Sequence, residues 1–107
     1  MGLDIGFTQV QEVEVASHNI THNLIQMAEA CGLYMCLWRP EEMNLTKASE
    51  LIPLVEEGLA RLKAEPERFK KLDSPNGWGT YENFVRFVED VLQSCKDYPD
   101  AKISACR

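Results

Sequence analysis

The chain has 107 residues, of which 45% are hydrophobic and 26% charged, and its formal net charge is -6 at pH 7. This length and composition are those of one globular domain, residues 1–107, and they exclude a disordered chain or a second independent core. The acidic balance disfavours nucleic acid as a partner, because that affinity comes mostly from neutralising phosphates. No apolar run approaches the roughly 20 residues that span a bilayer, and no signal-peptide pattern is present, so we expect a cytoplasmic protein without a membrane partner.

The first predicted elements are strands. Partial alternation of apolar and polar residues within the first fifteen positions, around residues 13–15, predicts one or two strands with a solvent-exposed face. From Thr21 the apolar residues recur at helical spacing, and Gly32 is a natural position for this helix to end. A short apolar segment, residues 33–38, follows and ends before Pro40.

A second long helix is predicted from Thr46 or Ser49 to about Ala64. Pro53 falls inside this pattern, so it lies either in the first turn of the helix or at a kink. Pro and Glu after Ala64 interrupt the periodicity, and residues 66–69 are expected to begin another short turn.

The remaining elements are a loop, a third helix and a terminal strand. Residues 73–79 contain the strongest turn signal in the chain, and a helix is predicted from Thr80 to about Lys96. The alternating tail is expected to form a strand near residues 102–106 that pairs with the strand near residues 13–15. The predicted fold class is therefore α+β, with three main helices packed on a small antiparallel sheet formed by the N- and C-terminal strands.

Four cysteines leave two disulfides formally possible, but a cytoplasmic protein is expected to keep them as free thiols. Their spacing lacks the paired C-x2-C pattern of zinc sites, and no metal or other cofactor is expected. Small buried hydrophobic roles suit them better. The four are Cys31, Cys36, Cys95 and Cys106.

Polar side chains concentrate where the N-terminal strand is expected to meet the first helix. His18 and His22 are four residues apart, which on one helix face would suit a metal, but no Glu follows the first His and His18 is expected to precede the helix. Helix capping with surface histidines is the simpler interpretation. Binding of a phosphate or carboxylate at the helix start is the functional alternative. The candidate ligand-binding residues of this segment are His18, Asn19, Thr21, His22 and Asn23.

Two other segments carry candidate binding residues. Trp38 and Arg39 could stack on a base and bind a phosphate, or they could be a core anchor and a surface charge. In the loop before the third helix, glycines permit close approach of a ligand and aromatic rings offer stacking surfaces; an aromatic lid on the core is equally compatible. The loop candidates are Asn76, Gly77, Trp78 and Tyr81.

The segments at residues 19–24, 37–40 and 76–82, with the final Arg107, resemble a family of small proteins encoded mostly in bacteriophages and prophages. The resemblance covers residues 13–107, although residues 104–107 depart from the Val-Ser-Arg ending of that family. It implies expression in a bacterial cytoplasm and, by analogy with other small phage proteins, a role against host defence. Arg107 is included among the candidate ligand-binding residues.

No nucleophile–base pair stands at a recognisable spacing, so a non-enzymatic protein is favoured. The first hypothesis is that the candidate residues converge, in one subunit or across a homo-oligomer, to sequester an anionic, nucleotide-like small molecule such as a host immune signal. The second is an acidic interaction protein that inhibits a basic host defence protein, for example a nuclease, by direct binding. A small metal-dependent hydrolase using His18 and His22 is a third and minor hypothesis.

Overall fold

The computed structural model describes residues 2–8, 14–75, 77 and 79–106. The strands are β1 Gly2–Thr8, β2 Glu14–Thr21 and β3 Lys102–Cys106, and the helices are α1 Ile25–Ala30, α2 Tyr34–Trp38, α3 Ala48–Ala64, α4 Pro66–Lys70 and α5 Tyr81–Asp97. Two 3₁₀ turns, His22–Leu24 and Pro40–Met43, precede α1 and follow α2. This arrangement confirms the predicted α+β class, with a small antiparallel sheet formed by N- and C-terminal strands.

The sheet has the order β2-β1-β3, and all its pairings are antiparallel. On β1, Leu3, Ile5 and Phe7 are fully buried and form the face that packs on the helices. Alternation places their neighbours on the opposite, solvent-facing side, where Asp4 lies between Asn19 of β2 and Cys106 of β3. The core therefore lies between one face of the sheet and the helices.

The predicted pairing of the strand near residues 13–15 with β3 is wrong. β3 pairs with β1, for example Gly6 with Ser104, and β2 lies on the other side of β1. A strand with a completely buried apolar face gains most from the central position, where both of its edges are hydrogen-bonded. Val13 lies outside the described residues.

The three predicted long helical regions are present, with shifts at their ends. The first helix begins later than Thr21, because β2 extends to that residue, and Gly32 follows it with φ +83° as expected for a helix stop. Pro53 lies inside α3 rather than in its first turn. Helix α5 begins one residue after the predicted Thr80, which caps it instead: the Asn83 N–H donates to Thr80 Oγ1 at 3.2 Å.

Helix α5 is amphipathic and packs with its apolar side under the sheet. Its buried residues recur at helical spacing, and it packs against both α3 and β2. The polar flank of the same helix faces solvent beside β2. Its buried residues are Phe84, Phe87, Val88, Val91 and Cys95.

A tight contact joins the start of α2 to α3. The side chain of Leu33 lies directly over Gly58, and a Cβ at position 58 would overlap Leu33 carbons. Both residues are buried, so the absence of a side chain on α3 here is what lets the two segments approach.

All four cysteines are free thiols, as predicted. Burial raises the pKa of Cys31 to about 11 and that of Cys36 and Cys95 to about 12. Cys106 is exposed on the sheet. Among the helices of the described residues, none combines the length and apolarity required to cross a membrane.

Candidate functional site: the groove between β2 and α5

A groove of about 490 Å³ runs between β2 and the flank of α5. This volume lies within the range of small-ligand sites. We call it the β2–α5 groove and define it by its lining residues. They are Ser17, His18, Asn19, Ile20, Thr21, Leu24, Asn83, Arg86, Phe87 and Asp90.

The groove follows from the positions of two elements. β2 is an edge strand, so its outer side is not covered by a further described strand. Asn83, Arg86 and Asp90 are three and four residues apart on α5 and therefore share one helical face. The apolar stripe of α5 packs under β2. The polar face of the helix therefore lies beside the edge of this strand and forms the other wall of the groove.

His18 is a half-buried polar residue of the groove. Its Nε2 lies 2.8 Å from Ser94 Oγ, and its ring meets Phe7 and Phe87 edge-on at 6.2 and 6.5 Å between centroids. Burial lowers the pKa of His18, while the negative charge of Asp90 acts in the opposite direction. The imidazole is therefore neutral at pH 7, as a hydrogen-bonding group rather than a fixed cation.

Asn19 and Thr21 are held by hydrogen bonds at the exposed side of the strand. Asn19 Nδ2 donates to Asp4 Oδ1 at 2.6 Å, across the β1–β2 pair. Thr21 Oγ1 accepts the N–H of Asn23 at 3.2 Å, which caps the following 3₁₀ turn as the sequence predicted. Both residues line the groove, while the Asn19 side chain lies on the face of the sheet that carries Asp4.

Arg86 is the positive group of the groove, and the sequence analysis did not select it. Its side chain is exposed, and within the described part of the chain no carboxylate lies within 4.0 Å of it. The only sequence signal was the i, i+3, i+7 set of polar residues on α5, which is also typical of an ordinary solvated helix face.

The two histidines do not form a shared metal site. His18 lies in a strand, so the i, i+4 argument for one helix face does not apply to it, whereas His22 lies in the 3₁₀ turn with its ring 6.4 Å from that of Trp38. Throughout residues 2–8, 14–75, 77 and 79–106, no group of three or more His, Cys, Asp or Glu side chains is arranged to hold a metal ion.

Trp38 is part of the core and not of the groove. It is 1% exposed, and its ring stacks on that of Tyr34 with centroids 5.8 Å apart and an interplanar angle of 20°. The expectation that it stacks on a ligand base is therefore wrong for this conformation, and the alternative interpretation as a core anchor holds. Helical spacing alone could not distinguish these roles.

Arg39 belongs to a local network on the surface. Its Nε donates to Tyr34 Oη at 2.9 Å and its Nη1 to Glu42 Oε2 at 2.7 Å. Both bonds favour the charged form and raise the pKa of the guanidinium. The guanidinium of Arg39 therefore bonds to Tyr34 and Glu42, and not to a phosphate as the sequence suggested.

The loop before α5 approaches the end of β2, which brings two predicted segments together. A Cβ built on Gly79 would lie 3.2 Å from Asn23 Cβ and 3.1 Å from Leu24 Cγ. Gly77 has φ +75°, as the Asn-Gly turn signal predicted. Close chain packing therefore explains Gly79, whereas Gly77 serves the turn.

Tyr81 stabilises the loop and does not present its hydroxyl to a ligand. Its Oη donates to the Leu62 carbonyl and its N–H to Asp73 Oδ1, each at 2.7 Å. Asn76, Trp78 and Arg107 lie outside the described residues, so their assignment to a binding site stays a prediction.

Comparisons of the chain with protein-family models, with curated proteins and with solved structures found no match. Three of the predicted residues, His18, Asn19 and Thr21, meet in the β2–α5 groove with Arg86 and Asn83 of α5.

Proposed function

We propose that the protein is a non-enzymatic binding protein that sequesters an anionic, nucleotide-like small molecule in the β2–α5 groove. The observation that carries this proposal is the position of Arg86, a cation without a carboxylate within 4.0 Å in the described chain, beside three predicted binding residues. In the bacteriophage setting that the family resemblance implies, such a ligand is a nucleotide signal of host defence. Its sequestration is then an anti-defence activity.

Each side of the groove contributes a different interaction. The Arg86 guanidinium can bind a phosphate through two parallel N–H groups, and the amide of Asn83 offers a further donor. Ile20, Leu24 and Phe87 supply apolar surface for the rest of the ligand. With Trp38 in the core, this apolar surface replaces the base stacking that the sequence suggested.

The overall charge opposes an anionic ligand, but only at long range. The net charge is -6, and Asp90 lies one helical turn from Arg86. Exposed charges are largely screened beyond roughly 8–10 Å at physiological salt. Direct contact with Arg86 therefore determines affinity, and we expect Asp90→Asn to strengthen binding of a phosphate ligand.

A binding role is favoured over hydrolysis, although His18 and Ser94 stand at the separation of a base and a nucleophile. Ser94 is not among the residues that line the groove, so its Oγ is not presented to a molecule held there. The His18–Ser94 bond instead satisfies two polar groups between the sheet and α5.

The proposal is tested by titration calorimetry with a panel of cyclic nucleotides and ADP-ribose derivatives. Loss of a charge-assisted contact costs about 1.5–3 kcal/mol, so Arg86→Gln should weaken the binding of its ligand by about 10- to 100-fold. Arg68→Gln is the matched control, because Arg68 is an exposed arginine of α4 outside the groove. The bound ligand should be recovered unchanged by chromatography.

If Arg86→Gln and the unmodified protein bind every ligand with equal affinity, the β2–α5 groove is not the binding site. Conversion of a ligand during incubation would contradict a non-enzymatic role, and its abolition by Ser94→Ala would assign the reaction to the His18–Ser94 pair.

Direct inhibition of a host protein is the second candidate, and the edge of β2 favours it. Residues 15–21 contain no Lys, Arg, Asp, Glu or Pro, the residues that usually protect a strand edge. Within the described chain, β2 forms its sheet pairing with β1 alone. An extended segment of a partner could add to this edge and occupy the same groove.

Failure of the whole nucleotide panel, together with capture of a basic host protein, would favour this second candidate. Ser17→Lys places a charge on the edge of β2 and should abolish capture through strand addition. Capture that survives Ser17→Lys would exclude this edge as the interface.

A further inference from the structure

A second and larger cavity lies at the other end of the sheet order, beside the start of β3. Its volume is about 850 Å³, and its wall is mostly apolar, with Leu45 and Ile103 contributing. We call it the lysine cavity, because Lys47 and Lys102 also line it. It shares no lining residue with the β2–α5 groove.

Backbone pairing holds the two lysines side by side. Lys47 and Lys102 are direct partners in an antiparallel bridge. The hydrogen bonds lie on either side of them, from the Ala48 N–H to the Ala101 carbonyl at 2.8 Å and from the Ile103 N–H to the Thr46 carbonyl at 2.9 Å. In this non-hydrogen-bonded type of pair the Cα atoms are about 4.5 Å apart and the side chains leave the same face.

The like charges of this pair form no salt bridge in the described chain. Neither lysine has a carboxylate within 4.0 Å among those residues. The carboxylate of Glu50 interacts electrostatically with the charge of Lys47. Its Oε1, however, accepts the backbone N–H groups of Thr46 and Lys47, each at 2.8 Å. Like charges directly opposite in a sheet are unfavourable, and an anion shared between the two ammonium groups would relieve this repulsion.

We propose that the lysine cavity binds an amphiphilic anion, whose single carboxylate or phosphate head lies between Lys47 Nζ and Lys102 Nζ and whose apolar body lies against the apolar part of the cavity wall, which includes Leu45. Two lysines can donate to two oxygens of such a head. Glu41 and Asp100 also line the cavity, so a ligand with one anionic head is favoured over a polyanion. This site is independent of the nucleotide-like ligand proposed for the groove.

Calorimetry with four probes separates the parts of this proposal, with the two amphiphilic anions kept below their micelle concentrations and octanol below its solubility limit. Octyl phosphate and octanoate carry both the head and the apolar body, octanol lacks the charge, and inorganic phosphate lacks the apolar body. We expect at least one of the two amphiphilic anions to bind at least tenfold more tightly than both octanol and inorganic phosphate. The tighter of the two identifies the preferred head.

The double variant Lys47→Gln/Lys102→Gln should weaken binding of that amphiphilic anion at least tenfold. Lys71→Gln is the matched control, because Lys71 is an exposed lysine without a carboxylate within 4.0 Å in the described chain and lies outside the cavity. Both altered lysines are exposed, and an unchanged thermal midpoint confirms that the double variant is folded. Amide shifts on titration should concentrate at residues 44–47 and 101–103.

Three results would overturn the proposal. Octanol could bind as tightly as octyl phosphate and octanoate, or inorganic phosphate could bind as tightly as these two anions. The third result is that the double variant binds the amphiphilic anion with full affinity. Arg86→Gln distinguishes this site from the groove. If that variant weakens octyl phosphate and the lysine variant does not, the probe occupies the groove and the lysine cavity is excluded as its site.

Discussion

The chemical role of single residues in this protein depends on whether the fold leaves them accessible to solvent. Cys31, Cys36 and Cys95 are buried, and burial disfavours the thiolate, which is the reactive form. Cys106 is exposed and lies opposite Asp4 on the solvent-facing side of the sheet. The four thiols therefore fall into two reactivity classes that their spacing in sequence does not reveal.

We expect one rapidly reacting thiol in the native protein. With pKa values raised to about 11 or 12, about one buried thiol in a thousand or fewer is ionised at about pH 8, and each is also shielded sterically. A chromogenic disulfide reagent should modify one thiol in native protein and four in denaturant without reductant. Cys106→Ser should remove the fast phase, and a fast phase that survives this substitution would contradict the assignment.

In the candidate site, too, the sequence does not reveal which residues the fold brings together. His18, Asn19 and Thr21 could be selected because polar side chains clustered before a predicted helix, and all three line the groove. Arg86 could not be selected, because an exposed arginine on an amphipathic helix has the same pattern whether or not a strand edge lies beside it. Trp38 was ambiguous since an indole suits both a core and a ligand.

Elements with a long periodic pattern were predictable, whereas the partner of each strand was not. α3 and α5 were recognised from their apolar stripes, and their ends differ from prediction by only a few residues. β1 is a central strand that contains Gly2, Asp4 and Gly6, which weaken its strand signal. Its burial, which decides the sheet order, depends on helices far away in sequence.

The contact between Leu33 and Gly58 gives a prediction at the scale of these elements. Gly58→Ala would normally favour a helix, but here the added methyl collides with Leu33, and overpacking of this kind costs about 1–3 kcal/mol. Chemical denaturation should show this loss of unfolding free energy. Ser49→Ala, at an exposed position of α3, is the control and should change stability little.

A double-mutant cycle checks the cause of that loss. If the collision is responsible, Leu33→Ala should cost less in the Gly58→Ala background than in the unmodified protein. Strictly additive effects would show that the methyl is accommodated and that the packing of α2 on α3 does not require glycine.

At the scale of the whole molecule, the sheet depends on β3 as the second partner of β1. β3 covers the inner face with Ile103 and Ala105, which lie opposite Phe7 and Ile5. We expect a chain ending at Ala101 to lose its cooperative thermal transition, measured by circular dichroism, because β1 then has one bare edge. Adding a Gly-Ser tail after Arg107 is the control, and a truncated chain that melts with an unchanged midpoint would contradict this role of β3.

The position of β1 also fixes the order in which the strands of the sheet can pair during synthesis. Ile5 and Ala105 are direct neighbours, although 105 − 5 = 100 positions separate them along the chain. During synthesis, β1 can pair with β2 almost at once, but its other edge has no native partner until residues 102–106 have left the ribosome. Until then the nascent chain carries an open strand edge beside an apolar face, which exposes it to association with other chains before it can bind any ligand.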